Sequence, residues 1–218
     1  MGMSESRVYW NDMAEKMYTT WQDYDISKKP VQPDFEAALM WLTSSSDTIV
    51  DFGCGLGIMA LRSAILGAKR VVAVDVAEKL IEYGNVLSQK HDLGEKVLLQ
   101  QGSIESLTQY ASESFNGAIL FNIIDNITSQ ETQTLLFEIN RLLSVNSKLV
   151  IKFNPFTDYS VYKEKYTKIE PNTFQAENGL VIRYLTDDMI RQEITQYFEV
   201  ESFIECEKHK QRIYFCKK

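Results

Sequence analysis

An acidic residue and three alternating glycines follow a short apolar run early in the chain. The residues are Ile49, Val50, Asp51, Gly53, Gly55 and Gly57. The apolar pair suits a buried parallel strand, and alternating glycines let the backbone approach a ligand without a Cβ in the way. Apolar residues at helical spacing come next, so a helix is expected to begin at the turn and direct unpaired N–H groups towards it. The spacing therefore predicts an anion-binding turn between a strand and a helix.

A second acidic residue strengthens this interpretation. The apolar run 71–74 predicts another strand, and it ends at Asp75. A carboxylate at this point is suited to accept hydrogen bonds from both hydroxyls of a ribose. The alternative is that the glycines only form a tight turn and Asp51 only caps a helix, which would require all these features to coincide by chance.

The glycine spacing separates this turn from that of dinucleotide-binding oxidoreductases. Their Gly-x-Gly-x-x-Gly pattern requires its third glycine where this chain has Ile58. Asp51 would also repel a pyrophosphate, whereas it would pair well with an ammonium group. A ligand with an amino-acid end, which carries both an ammonium and a carboxylate, therefore fits the turn better than NAD.

In these residues the chain resembles the class I S-adenosylmethionine-dependent methyltransferases. Their Asp/Glu-x-Gly-x-Gly-x-Gly signature is matched by Asp51 and the three glycines. The resemblance implies S-adenosyl-L-methionine as cofactor. It also implies that Ser103, where the family commonly has an acid, and Ile104 contact the adenine. The other cofactor-binding residues that it implies are Tyr18 at the sulfonium, Cys54 through its backbone, Asp75, Val76 and Asn122.

Polar residues just past the fourth predicted strand are candidates for the acceptor side of the site. Methyl transfer from a sulfonium chiefly requires alignment, and a base is needed only if the nucleophile arrives protonated. Asp125 is the best-placed base, although it could instead only hydrogen-bond the loop ahead of the next helix. Asn122 and Asn126 could orient polar groups nearby.

Strands and helices alternate from residue 48 to residue 154, which predicts a parallel sheet with helices on both faces. Thr128 and Glu131 predict a capping box for a helix whose apolar face extends to Leu143, and the fifth strand is expected to begin at Leu149. Two strands near the C-terminus form a predicted hairpin. The resemblance implies an α/β, Rossmann-like, doubly wound sheet of seven strands, mostly parallel with an antiparallel last strand.

Two segments lie outside that predicted core, in a chain interpreted as one methyltransferase domain over 1–218. Residues 1–35 contain an aromatic and methionine stripe at helical spacing and are interpreted as an N-terminal cap helix. Residues 155–183 are too long for an ordinary connection and are interpreted as a lid, with Tyr159 and Tyr162 contacting the acceptor. For any single aromatic residue of either segment, plain packing against the core is the alternative.

Composition restricts the partners. Thirty acidic against twenty-three basic residues give a net charge of −7, which disfavours nucleic acid. No apolar run approaches the ~20 residues of a membrane-spanning helix, so we expect a cytoplasmic protein with no membrane partner. Cys206, His209 and Cys216 lack a fourth ligand, so no metal is expected.

The acceptor itself is predicted only as a class. Asn154-Pro155-Phe156 resembles the motif of enzymes that methylate amide or ring nitrogens in macromolecules, but it follows the fifth predicted strand instead of the fourth. With the acidic charge, this favours a small-molecule acceptor. A methyltransferase acting on protein or RNA, and a non-catalytic S-adenosylmethionine-binding protein, remain alternatives, and the oligomeric state stays open.

Overall fold

The computed structural model describes residues 3–28, 30–206 and 209–218. Its helices are α1 Met3–Trp21, α2 Pro33–Thr43, α3 Ile58–Ile65, α4 Glu78–Lys90, α5 Ser129–Leu142, α6 Tyr159–Lys165 and α7 Asp187–Ile194. Its strands are β1 Thr48–Phe52, β2 Arg70–Asp75, β3 Val97–Gln101, β4 Phe115–Phe121, β5 Leu143–Phe153, β6 Thr167–Glu170, β7 Thr173–Gln175, β8 Val181–Arg183, β9 Glu199–Glu205 and β10 Arg212–Lys217. Two short 3-10 helices span Ile104–Gln109 and Ile124–Asn126.

Seven strands form the main sheet, in the order β3-β2-β1-β4-β5-β10-β9. The first five pair in parallel, whereas β10 runs antiparallel to both β5 and β9. This confirms the predicted seven-stranded, mostly parallel sheet with a reversed last strand. The strand order reverses direction between β1 and β4, and ligands bind such sheets beyond the strand carboxyl ends at that point.

The sheet is buried on both faces. Successive residues of β1 point to opposite sides, so Ile49 joins a core beneath α2, α3 and α4, whereas Val50 and Phe52 join a core beneath α5 and α7. All three side chains are fully buried. Burial on two sides explains why the strand reads as a continuous apolar run instead of an alternating one.

The junction between α5 and β5 differs from the sequence prediction. The capping box of Thr128 and Glu131 is present at the start of α5. However, the helix ends at Leu142, and β5 begins at Leu143 instead of Leu149. Leu143 pairs with Phe115 across an irregularity in the β4–β5 ladder, so its apolar side chain is buried by the sheet and not by the helix face.

Residues 155–183 contain α6 and a separate antiparallel sheet, β6-β7-β8. Polar contacts of Glu170 and Arg183 attach this small sheet to the main domain. Glu170 Oε1 accepts a 2.7 Å hydrogen bond from the backbone N–H of Ser129, at the start of α5. Arg183 Nη2 lies 2.5 Å from Glu193 Oε1 on α7, and Arg183 Nη1 donates to Thr132 Oγ1 at 3.0 Å. The segment is therefore anchored at both edges.

Helix α1 lies across α4 at the carboxyl end of the sheet. Its Tyr18 stacks on Tyr83 of α4 with ring centroids 4.5 Å apart, and Asn11 Oδ1 accepts a 3.0 Å hydrogen bond from Lys79 N. None of the helices in the described part of the chain has the length and hydropathy that crossing a membrane requires.

Candidate active site

The glycine turn joins β1 to α3 in the conformation that its spacing predicts. Gly55 and Gly57 have positive φ values of 56° and 73°. A Cβ on Gly57 would lie 2.5 Å from Leu99 Cδ2, so a side chain here would have to displace the end of Leu99 and adopt a φ that favours glycine. A Cβ on Gly55 would meet only Met17 Cε, at 3.6 Å. The turn therefore packs tightly on one side and exposes bare backbone on the other.

Asp75 ends β2 and holds this turn in place. Its Oδ2 accepts a 2.8 Å hydrogen bond from Gly55 N, and its Oδ1 accepts a 2.9 Å hydrogen bond from Ala77 N. Burial raises the pKa of Asp75, and the surrounding backbone N–H groups oppose that rise. Each oxygen of a carboxylate has about two lone-pair sites, so Asp75 keeps acceptor capacity for a ligand hydroxyl.

Asp51, on the neighbouring strand, is a buried carboxyl group with no partner. Its exposure is 1%, and neither oxygen accepts a hydrogen bond from the residues that the structure describes. Burial, and then the negative charge of Asp75, raise the pKa of Asp51 to about 8, which the nearby Ala60 N–H only partly offsets. A buried carboxyl group of this kind is stabilised by a cation.

A cavity of about 320 Å³ opens at the carboxyl ends of β1, β2, β4 and β5. This volume is within the range of small-molecule sites. The predicted site residues that line it are Asp51, Gly53, Cys54, Gly55, Asp75, Val76, Asn122 and Asn126. Trp10, Met17 and Trp21 of α1 form its cover. No residue between 155 and 183 lines this cavity, so α1 covers it and the predicted lid does not.

Three other predicted cofactor residues lie beside the cavity instead of on its wall. Gly57 is the N-cap of α3, where its tight packing on Leu99 fixes the turn. Ser103 Oγ donates a 2.5 Å hydrogen bond to Glu105, and Ile104 is buried in the core below β2. Their contacts with adenine stay a prediction.

The structure places the three predicted tyrosines away from the cavity wall. Tyr18 is one residue beyond Met17, about 100° around the helix, and therefore faces Tyr83. Tyr159 and Tyr162 pack on Phe174, with ring centroids 5.7 and 5.5 Å away. The three tyrosines thus pack against other aromatic rings, and of the two segments that carry them only α1 contributes other residues to the cavity wall.

Asp125 is buried behind the cavity in the 3-10 helix Ile124–Asn126. Its Oδ2 accepts hydrogen bonds of 2.9 and 2.8 Å from Asn154 N and Nδ2, and its Oδ1 accepts one of 3.2 Å from Asn126 Nδ2. Burial raises the pKa of Asp125, opposed mainly by the Asn154 hydrogen bond. The carboxyl group therefore connects two loops, which is close to the structural role that the sequence left open for it.

Lys152 and Phe35 line the cavity, and the sequence prediction missed both. Lys152 is 3% exposed, on β5, and its Nζ donates a 2.8 Å hydrogen bond to Asn122 Oδ1. Burial lowers the pKa of Lys152 to about 8, and the charge of Asp125 opposes the change. The sequence contains one signal that could have identified Lys152. A lysine inside an apolar run such as 149–153 is rare unless its charge is paired.

Asn122 connects this lysine to the turn after β4. Its φ is 56°, uncommon for a residue other than glycine, and its N–H donates to Lys152 O at 2.8 Å. Its carbonyl accepts a 2.8 Å hydrogen bond from Asn126 Nδ2. These contacts hold both asparagine side chains at the cavity, and such unusual backbone conformations cluster at functional sites.

Residues 49–146, slightly under half of the chain, match the family model described as a methyltransferase domain. These residues contain the glycine turn, Asp75 and the strands that form the cavity. Over this stretch the chain is similar to methyltransferases. The match ends within β5, so Lys152 and residues 155–183 lie beyond it.

A named relative matches part of this chain. The ribosomal protein L11 methyltransferase of Thermotoga maritima is 31% identical to this chain over 105 residues, which are 48% of this chain and 36% of that protein. The chain therefore matches only about a third of that relative's length.

Solved structures share the fold over nearly the whole chain. The Burkholderia thailandensis 1,6-didemethyltoxoflavin-N1-methyltransferase, solved with 1,6-didemethyltoxoflavin and S-adenosylhomocysteine, is 16% identical with a TM-score of 0.72, covering 99% of this chain and 88% of that one. The [4+2]-cyclase SpnF has the same TM-score at 12% identity, covering 96% of this chain and 94% of that one. At such identities the similarity establishes the fold alone.

Proposed function

We propose that this protein binds S-adenosyl-L-methionine and transfers its methyl group to a small-molecule acceptor. The observation that carries the proposal is Asp51, whose two buried oxygens line the cavity without a partner. The cofactor's amino-acid end supplies the cation that this carboxyl group lacks. The whole chain is proposed to act as one domain, with residues 1–35 and 155–183 as additions to it.

The surrounding residues fit the rest of the cofactor. The first N–H groups of α3 suit its carboxylate, because a helix N-terminus carries partial positive charge, and Gly55 has no Cβ to block the approach. The remaining lone pairs of Asp75 suit the ribose hydroxyls. Ser103 and Ile104 are proposed to reach the adenine beyond Val76, and Tyr18 and Tyr83 to support α1 over the ligand.

Catalysis in this proposal depends on alignment. The bound cofactor supplies an activated methyl group, so no residue of the chain has to activate the carbon. Asn122, Asn126 and Lys152 present polar groups on the acceptor side of the cavity, and the aromatic side chains of α1 exclude water. Holding two reactants in line can lower a barrier by ~7 to 11 kcal/mol. Asp125 positions this wall through Asn126 and Asn154.

The cover formed by α1 favours a small acceptor over a macromolecule. Trp10, Met17 and Trp21 close the cavity on the side that a large substrate would have to approach. The L11 methyltransferase relative supports the opposite view, that a protein is methylated. The cyclase neighbour supports a third possibility, in which the fold serves a reaction other than methyl transfer.

Two experiments test the proposal. Calorimetry should show that the protein binds S-adenosylhomocysteine and that Asp51→Asn weakens this binding at least about tenfold. The control Asp188→Asn, at an exposed position of α7, should leave the binding unchanged. Labelled methyl should then enter the small-metabolite fraction of a lysate. Label only in the protein or RNA fraction would reject the small acceptor, and tight cofactor binding with no transfer to any fraction would reject catalysis.

A further inference from the structure

Lys152 places an ammonium group in an otherwise apolar part of the cavity. Its Nζ lies 4.8 Å from the ring centroid of Phe35 and 5.9 Å from that of Phe121, and both rings line the same cavity. Lysine side chains are almost never this deeply buried unless the charge is paired.

The protein satisfies this ammonium only in part. An ammonium has three N–H donors, and in the described part of the chain one of them is used, by Asn122 Oδ1. No carboxylate of the described residues lies within ion-pair distance of Lys152. Asp125 acts on it only through space, since no hydrogen bond or ion pair joins the two side chains among the described residues. The site is therefore short of one negative charge.

The position of Lys152 separates it from the proposed cofactor contacts. β4 lies between β1, which carries Asp51, and β5, which carries Lys152. β1 and β5 are therefore separated by two strand spacings, about 10 Å. Lys152 also lies nearer the carboxyl end of β5 than the β5 residue that is level with Asp51 across the sheet. An anion bound at Lys152 would therefore belong to the molecule beyond the cofactor's amino-acid end, which is the acceptor.

Resting on the proposed function, we propose that the acceptor carries an anionic oxygen, a carboxylate or a phenolate, that pairs with Lys152 between the rings of Phe35 and Phe121. The rings receive the flat or apolar body of such a molecule, and Asn122 orients the ammonium. Pairing supplies the missing charge in a site of low polarity, where a charge-assisted hydrogen bond is strong. Lys152 thus selects acidic acceptors over neutral molecules of the same shape.

The test uses matched pairs of simple probes with protein saturated by S-adenosylhomocysteine. Benzoate is compared with benzamide for a carboxylate, and 4-nitrophenolate with 4-nitroanisole for a phenolate, by titration in ligand-observed NMR. At least one anion should bind about tenfold or more tightly than its neutral partner, and the pair that shows this identifies the acidic group. If neither anion binds more than about twofold better, the proposal is overturned.

Variants assign the preference to one side chain. Lys152→Met keeps the length and removes the charge, so the preference should fall to within about twofold, and a preference that survives would overturn the proposal. If that variant does not fold by circular dichroism, Lys152→Gln is measured instead.

The matched control is Lys148→Met, because Lys148 lies on the same strand over Trp41 and outside the cavity. It should keep the preference. The same titrations are repeated without S-adenosylhomocysteine. If the wild type fails to bind that ligand, the proposed function is rejected, whereas the anion preference measured without it still tests Lys152.

Discussion

Asp51 and Asp75 are buried carboxyl groups at the ends of adjacent parallel strands, and the charge of Asp75 raises the pKa of Asp51. Asp75 is stabilised by the N–H groups of Gly55 and Ala77, whereas Asp51 has no such partner. The two acids therefore differ in what they require: Asp75 is satisfied within the protein, and Asp51 is satisfied by a cation from outside it.

Cofactor binding should release a proton at neutral pH. Free Asp51 has a pKa of about 8 and is mostly protonated at pH 7, whereas pairing with an ammonium favours its charged form. Affinity for S-adenosylhomocysteine should therefore rise with pH up to about 8. Calorimetry at pH 7 in buffers of different ionisation enthalpy measures the proton count. An observed enthalpy that does not depend on the buffer would contradict this coupling, and Asp51→Asn should remove it.

Asp51→Asn should stabilise the protein without ligand. The pKa of about 8 in the folded protein lies above the usual aspartate value of 3.8, so the unfolded chain gives up this proton more readily. Wild-type stability is then fully retained below about pH 4 and decreases as pH rises towards about 8. Thermal melts should show the variant's gain in Tm growing between pH 5 and pH 8. A gain independent of pH would mean that Asp51 ionisation does not cause it.

Asp75→Ala should weaken S-adenosylhomocysteine binding by ~2 to 4 kcal/mol. The variant removes the proposed hydrogen bonds to two ribose hydroxyls and also frees Gly55 N, whose position fixes the glycine turn. Circular dichroism should show the fold intact. Unchanged affinity in a folded variant would remove Asp75 from the binding site.

Asp125→Asn distinguishes a positioning residue from a base. Because Asp125 joins Asn126 to Asn154, we expect the variant to lower the free energy of unfolding by ~1 to 3 kcal/mol and turnover by less than about tenfold. Cofactor affinity should stay within about twofold. A fall in turnover of about 10²-fold or more, with stability unchanged, would instead assign the base role to Asp125.

Tryptophan fluorescence should report ligand at α1. Trp10 and Trp21 line the cavity, whereas Trp41 packs on Phe215 at 5.1 Å, away from it. Addition of S-adenosylhomocysteine should change the emission of the wild type and of Trp41→Phe alike. The double variant Trp10→Phe, Trp21→Phe should lose the change while still binding in calorimetry. A signal that follows Trp41 would place the ligand elsewhere.

Local chemistry made the glycine-turn side of the cavity predictable. The glycine turn, Asp75 and the capping box of Thr128 each depend on residues a few positions apart, so their spacing is visible in the sequence. The number of strands and the reversal of the last one followed from alternating elements and the family resemblance. These features are the ones for which backbone geometry dictates residue type.

The side of the cavity around Lys152 was less predictable because it is assembled from distant segments. Phe35 and Lys152 meet only through the fold, and no spacing rule connects them. The aromatic stripes of α1 and α6 gave helices correctly, but periodicity alone does not say which face meets the cavity, so Tyr18 was chosen where Met17 lies. The start of β5 at Leu143 was missed because an apolar residue fits the end of a helix face and the start of a strand equally well.

The ion pair of the buried Arg183 with the partly exposed Glu193 has an evolutionary consequence. Removing one partner of a buried pair leaves an isolated charge and costs ~3 to 5 kcal/mol, whereas replacing both by apolar residues is often neutral. Single substitutions at either position should therefore be selected against, and the two should change together among descendants of this chain. The small sheet that Arg183 anchors is then inherited as a unit with α7, so lineages that lose one are expected to lose the other.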